Sequence, residues 1–281
     1  MSENLALLLG EPKIDTHCHI LDPARFAYSP EAKYQPIGQE VGTALQMEQV
    51  FATFGVSHAL IVQPNSGYAG DNRCLLAALS ASAGRHKGVA VVPADISRDD
   101  LAVLKAQGVV GVAYNLTVNG LEVYLDTESL LEKLVDLDMF LQLQFEDQQL
   151  VGLLPLLNAS PVKLLIDHCG RPSIADGLNQ PAFKSLLDLG GTGRAAVKLS
   201  GYQKFSRMQA PYEDAWPFVQ ALVEAYSLDR CLWASDWPYL RAPERLDYGP
   251  LLALAGQLFP DPDQRRKLFW ETPRRLFGFS G

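Results

Sequence analysis

The sequence predicts an α/β protein in which the whole chain, 1–281, forms a single (β/α)8 TIM-type barrel domain. Three observations predict it. Eight short runs of apolar and β-branched residues recur along the chain, as buried parallel strands require. Helical patterns fill the intervals between them, which is the rhythm of a parallel α/β protein. Three histidines and one aspartate close several of the runs, where barrels of this kind build their sites.

The strands fall at Lys13–His19, His58–Gln63, Gly88–Pro93, Val109–Asn115, Met139–Phe145, Val162–His168, Ala195–Ser200 and Cys231–Asp236. Ala59-Leu60-Ile61-Val62 and Val89-Ala90-Val91-Val92 are apolar without interruption, so both faces are covered. The helices fall at Thr43–Phe54, Asp71–Ala83, Arg98–Gln107, Thr127–Leu137, Gln148–Asn158, Gln180–Leu189, Tyr212–Tyr226 and Pro273–Phe277. Thr127-Glu128-Ser129-Leu130 is a capping pattern. Thr272 is placed as the N-cap of the last helix, with Pro273 at the first helical position. An open doubly wound sheet would call for a glycine-rich nucleotide loop after the first strand. That strand ends instead in His17-Cys18-His19. Two long connections stand out, Leu21–Glu40 and Gln63–Asp71, and loops of such length in a compact protein carry function.

The net charge of −8, with no basic run, excludes nucleic acid as a partner. No apolar run approaches the roughly 18–20 residues of a membrane span. The stretch Leu5–Leu9 is short, lacks a preceding basic residue and makes a poor signal peptide, so a cytoplasmic location is expected. Cys18, Cys74, Cys169 and Cys231 are widely spaced, which points to free buried thiols.

The chemistry rests on His17, His19, His168 and Asp236. Residues two apart in a strand share a face, so His17 and His19 project together into the barrel. Cys18 points to the helices, and Asp15 is expected beneath the two histidines on their face. A lone strand-end histidine is ordinarily a hydrogen-bonded structural residue. The pair His17/His19, joined by His168 and Asp236 at matching strand ends, argues otherwise. Three imidazoles and a carboxylate suit one Zn-like divalent ion, with His17, His19, His168 and Asp236 as ligands. They equally suit an acid–base site without metal, so the expected cofactor is none, or at most one divalent ion. His58 and His86 stand near strand starts, at the wrong end of the barrel, and are assigned structural roles.

With these residues placed, the chain resembles the amidohydrolase superfamily. It is most similar to the amidohydrolase-related branch that holds 2-pyrone-4,6-dicarboxylate hydrolases and sugar or muconolactone lactonases. The resemblance runs from Ile14-Asp15-Thr16-His17-Cys18-His19 through Asp167-His168-Cys169-Gly170-Arg171-Pro172, Val197-Lys198-Leu199-Ser200-Gly201 and Ser235-Asp236-Trp237-Pro238 to Pro273-Arg274-Arg275-Leu276-Phe277-Gly278. It implies a hydrolase that opens a small carboxylated lactone of pyrone or muconolactone type, as in aromatic catabolism. It implies Asp236 as the base and a reaction that runs without bound metal in this branch. His17, His19 and His168 then surround the developing oxyanion. The middle strand offers Gln142 and Gln144 where a two-metal site would use Lys or Glu, so no binuclear centre is expected.

Arg171 is placed to pair with a substrate carboxylate. Lys198, Lys204 and Arg207 follow the seventh strand and add candidate positive charge, with Lys204 and Arg207 taken as substrate-binding candidates; at least two of the three are expected to be only solvated. Tyr28, Tyr34 and Tyr68 are candidates to contact the ring, and Gln63, Asn65 and Gln144 are weaker polar candidates. The family's G-x-R-x-N segment reads Gly111-Val112-Ala113-Tyr114-Asn115 here. Ala113 in place of Arg leaves the reaction class intact but not the dicarboxylate preference. Thr272 replaces a family Asn, with little consequence expected. The competing functions are a single-zinc decarboxylase of the same broad family and a non-catalytic barrel.

Overall fold

The structure, a computed structural model, describes residues 3–280. Met1, Ser2 and Gly281 lie outside the described residues. Eight strands pair in parallel in chain order: β1 (Lys13–Cys18), β2 (Val56–Val62), β3 (His86–Ala90), β4 (Val109–Asn115), β5 (Phe140–Gln144), β6 (Lys163–Ile166), β7 (Ala195–Leu199) and β8 (Cys231–Trp233). The sheet closes where the Asp236 amide donates to the His17 carbonyl at 2.8 Å and the His19 amide to the Trp237 carbonyl at 2.7 Å. The expected barrel is present.

Alternation builds its two layers. Ile14, Leu60, Val89, Ala113, Phe140, Leu165, Ala196 and Leu232, one from each strand, fill the interior, and Phe277 and Phe279 close it from below. The residues of opposite parity, such as Ile61, Val112, Leu141 and Val197, pack outward against the helices. Two residues further along the same strands the interior turns polar: Gln142 follows Phe140, Asp167 follows Leu165 and Lys198 follows Ala196. The floor is hydrocarbon and the storey above it is not.

Seven of the expected helices appear within a few residues of their expected bounds. Thr43 caps Ala44–Phe54, its side chain accepting from the Gln46 amide. The Leu5–Leu9 stretch lies in a helix, Glu3–Gly10, which packs on Tyr248–Leu258. The last helix corrects the expectation for Thr272. The chain arrives through Pro262–Arg266 and a π turn, Lys267–Glu271, so Thr272 has helical φ/ψ and caps nothing. Its hydroxyl donates instead to the Leu228 carbonyl. Wide π turns of this kind interrupt a helix without ending it.

Asp15 is a second correction. The pairing of β1 with β2 slips between Asp15 and Cys18. Ile14 therefore faces the interior, and Asp15 turns to the outer layer. Its carboxylate accepts from the Ser235 amide at 3.0 Å and from the Tyr248 hydroxyl at 2.9 Å. Parity counting fails across a bulge because the extra residue resets the alternation. Cys18 does face the helices, with Sγ 3.7 Å from Met47 Sδ.

His58 Nδ1 donates to the Arg85 carbonyl, and the ring lies against Trp270 and Phe279 near the barrel floor. His86 pairs with Glu48 at 2.9 Å. Both are structural, as expected. The four cysteines are buried and unlinked. Among the described residues no helix is long and apolar enough to cross a membrane.

Candidate active site

His17 and His19 reach the C-terminal mouth from the end of β1. His168 and Asp236 arrive there on turns beyond β6 and β8, and both have positive φ, 51° and 63°. The four side chains meet. His17 Nε2 is 3.2 Å from His19 Nε2. Asp236 Oδ1 lies 3.7 Å from Nε2 of His17, 3.4 Å from that of His19 and 3.7 Å from that of His168. Its other oxygen stands 2.9 Å from the Lys204 ammonium, close enough for an ion pair although not aligned as a hydrogen bond.

The far ring nitrogens are also held. His19 Nδ1 is 2.8 Å from the Val62 carbonyl, which can only accept. His168 Nδ1 meets Ser200 Oγ at 3.1 Å. His17 Nδ1 is 3.1 Å from Asp167 Oδ1. The acceptors at Nδ1 leave the Nε2 lone pairs of His17 and His19 turned toward one point, which His168 Nε2 also faces. A carboxylate oxygen faces the same point. His17, His168 and Asp236 form a compact donor set with ligand atoms all within 4.8 Å of one another. His19 stands beside it. Acceptors gathered in this way fit a single cation or a proton, and imidazole with carboxylate suits a divalent ion of zinc type.

Burial raises the Asp236 carboxyl, but Lys204, His168 and His17 outweigh it and hold it well below the usual carboxylate range. Burial pushes His17 down to about 4, helped by Lys198 and opposed by Asp167. Burial likewise drives His168 well below its ordinary value, against the pull of Asp236. Near neutral pH the mouth therefore holds an ionised Asp236 beside the neutral imidazoles of His17 and His168.

A cavity of about 650 Å³ opens over this group. Asn65, Gln144, Arg171 and Lys204 line it, with Gln63, Ala113, Gln142, Glu146, Asp167 and Arg241. The other expected substrate contacts lie elsewhere. Tyr28 donates to the Pro36 carbonyl and packs its ring beside Gly67 and, tilted by 60°, against Tyr68. The Tyr68 hydroxyl accepts from the Asp22 amide, and the Tyr34 hydroxyl binds Glu40. These three tyrosines tie the two long loops together and do not line the cavity. Arg207 points to solvent. Lys198 and Lys204 correct the expectation that at least two of the three cations are solvated. Lys198 is fully buried, and the Lys204 side chain is only 17% exposed. Arg171 lines the cavity with its guanidinium on Glu146 at 2.9 Å. A separate groove of about 490 Å³ beside Gln46 and Trp237 contains no titratable side chain.

Sequence reasoning left out Asp167, Glu146 and Arg241. Asp167 carried a signal, because it shares parity with Leu165 in the interior. Glu146 and Arg241 lie in loops, where no periodicity marks them.

A parallel barrel with imidazoles and a carboxylate at its C-terminal mouth is the architecture of a hydrolytic enzyme. The chain belongs to the amidohydrolase family, whose model matches residues 14–279. It is 34% identical to a 4-sulfomuconolactone hydrolase of Rhizobium radiobacter, covering 94% of this chain and 89% of the relative. It is 28% identical to a 2-pyrone-4,6-dicarboxylate hydrolase of Comamonas testosteroni over the same shares. A crystal structure of a probable 2-pyrone-4,6-dicarboxylic acid hydrolase from Acinetobacter baumannii, with citric acid bound, matches with a TM-score of 0.84 at 26% identity. That match covers 95% of this chain and 99% of the other.

Proposed function

We propose that this protein hydrolyses a small lactone that carries an anionic group. One observation carries the reading: Asp236 Oδ1 stands 3.4–3.7 Å from three imidazole nitrogens at the floor of the cavity. The relatives named as hydrolases of carboxylated or sulfonated lactones support it, as does the citric acid in the similar crystal structure.

The chemistry follows from the groups present. A water molecule between Asp236 and the lactone carbonyl loses a proton to the carboxylate as its oxygen adds to the carbonyl carbon. The carbonyl electron pair moves to oxygen, and the Lys204 ammonium is the nearest fixed positive charge to meet it. Collapse of the tetrahedral adduct breaks the ring C–O bond. The leaving oxygen takes the proton from Asp236 and yields the open-chain acid. A single divalent ion, held by His17, His168 and Asp236 with His19 alongside, would supply Lewis-acid polarisation of the carbonyl. Arg171 and Arg241 at the cavity wall are suited to the substrate anion.

The test is a panel of lactones with zero, one and two carboxylates, assayed first in chelator and then with added zinc. Ring opening by the wild type, with kcat reduced about 10²–10⁴-fold in Asp236→Asn, is expected. Ring opening by Asp236→Asn at the wild-type rate would refute the base assignment. No turnover of any lactone under either condition would refute the function.

A further inference from the structure

Beneath the site lies a polar group that the reaction above does not use. Lys198 on β7 is fully buried, and so is Gln142 on β5 to within 1%. The Lys198 ammonium donates to Gln142 Oε1 at 2.7 Å and pairs with Asp167 Oδ1 at 2.9 Å. Gln142 Nε2 donates to Asp167 Oδ2 at 2.8 Å. Asp167 Oδ1 is also the partner of His17 Nδ1. Lys198, Gln142 and Asp167 form a closed ring beneath the cavity, with His17 joined to it through Asp167 and both Asp167 oxygens engaged. Burying an ammonium is costly unless it is paired and hydrogen-bonded, and hydrocarbon at this position would be cheaper. The group has to be explained by what it does to its neighbours.

Lys198 Nζ also approaches His17 Nδ1, at 3.1 Å. That nitrogen cannot donate to Asp167 and accept from Lys198 at once. An ionised carboxylate is the stronger partner, and the ring proton goes to it. Lys198 then has Asp167 and Gln142 as acceptors, and its charge keeps the carboxylate ionised and in place. His17 is left with its proton on Nδ1 and a lone pair on Nε2 facing the cavity.

We propose that Lys198 is a positioning residue of this site, acting through Asp167 to fix the tautomer of His17. Lys198 lies below the imidazole layer, out of reach of substrate, so it sets the orientation and proton placement of His17 without touching the reacting atoms. Carboxylate-to-histidine support of this type is what makes an imidazole a defined donor or ligand.

The proposal rests on the lactonase reading only for its kinetic arm. The first measurement needs no substrate. Ring ¹⁵N NMR of histidine-labelled protein in chelator, with His17 assigned by its loss in His17→Gln, reports which nitrogen carries the proton. The wild type is expected to show the Nδ1–H form alone. Lys198→Met is expected to show a mixture of both tautomers. With a lactone that the wild type opens, kcat should fall about 10- to 100-fold while KM stays within about twofold. Where Lys198→Met does not fold, Lys198→Met with Asp167→Asn leaves no unpaired buried charge, and the same tautomer mixture is expected. A folded variant that keeps His17 wholly in the Nδ1–H form, or keeps the wild-type kcat, overturns the proposal. A merely structural Lys198 would lower Tm and move neither readout.

Discussion

Gly201 supplies the most direct test of how the mouth is held. It follows Ser200 at the end of β7 at φ +68°, and a Cβ there would stand 2.7 Å from Cβ, Cγ and Nδ1 of His168. Carbon atoms in ordinary contact lie about 3.5–4.0 Å apart, so Gly201→Ala must move His168 by roughly 1 Å. The ring has little freedom to yield, since its Nδ1 is held by Ser200 Oγ. A misplacement of about 1 Å in a catalytic group costs about 100-fold in rate. The left-handed backbone costs a residue with a Cβ about 1–2 kcal/mol in addition. Gly177→Ala separates the two effects. Gly177 has φ +64° and nothing within 4 Å of its added Cβ. Both variants should lose Tm by at least roughly 2–4 °C. Only Gly201→Ala should lose kcat, by about 100-fold. Steady-state kinetics on a turned-over lactone, beside calorimetry of all three proteins, decides it. Wild-type kcat in Gly201→Ala, or an equal loss in Gly177→Ala, would refute the argument that His168 must hold its place.

Three other outcomes are expected. In chelator, kcat/KM should stay level from neutral pH downward and fall only near pH 4, where His17 takes a proton on its cavity nitrogen; a limb at pH 6–7 would mean an unperturbed histidine. Arg171→Met should raise KM about tenfold or more for a carboxylated lactone and leave a neutral one within about twofold, since a charge-assisted pair contributes at least about 1.4 kcal/mol; equal effects on both would remove Arg171 from anion binding. The native protein should resist a thiol reagent at pH 8 and react at all four cysteines once unfolded, because burial pushes the Cys169 thiol up to about 12 and Cys18 well above its ordinary value. The linkage has a sign: the unfolded chain releases these protons near pH 9 while the native chain keeps them, so this stability is present below pH 9 and is lost as pH rises toward 12.

The strand count was readable because buried parallel strands are apolar on both faces, and the meeting of His17, His19, His168 and Asp236 because all four close strands at one mouth of the barrel. Where parity broke, the reading broke with it. The bulge after Asp15 sent that carboxylate to Ser235 and Tyr248. Lys198 and Gln142 sit at inward positions, yet a lysine near a strand end looks the same in sequence whether it meets solvent or a buried aspartate. The tyrosines of the long loops failed as substrate candidates for a related reason. Tyr28 and Tyr68 find their partners across two loops, in contacts that no local pattern encodes.

The turn after β6 shows why such a site needs more than strand ends. Leu165 faces the interior, and alternation would carry Asp167 inward and His168 outward. Both face inward: Asp167 meets His17, and His168 stands 3.7 Å from Asp236. The positive φ of His168 and Cys169, 51° and 57°, turns the chain so that consecutive side chains share one side. Such conformations cost about 1–3 kcal/mol each in a residue with a Cβ. They persist here because the turn is held from several directions, by the Gly170 amide on the Asp167 carbonyl, the Arg171 amide on the His168 carbonyl and the Ser200 contact. Asp236, at φ 63°, keeps the ordinary alternation after β8, with Ser235 turned outward to Asp15 and Asp236 inward. A glycine at either position would relieve the backbone and remove the side chain that the strain delivers. After β6 the strain falls where one element must bring one more polar group to the mouth than a regular strand can present.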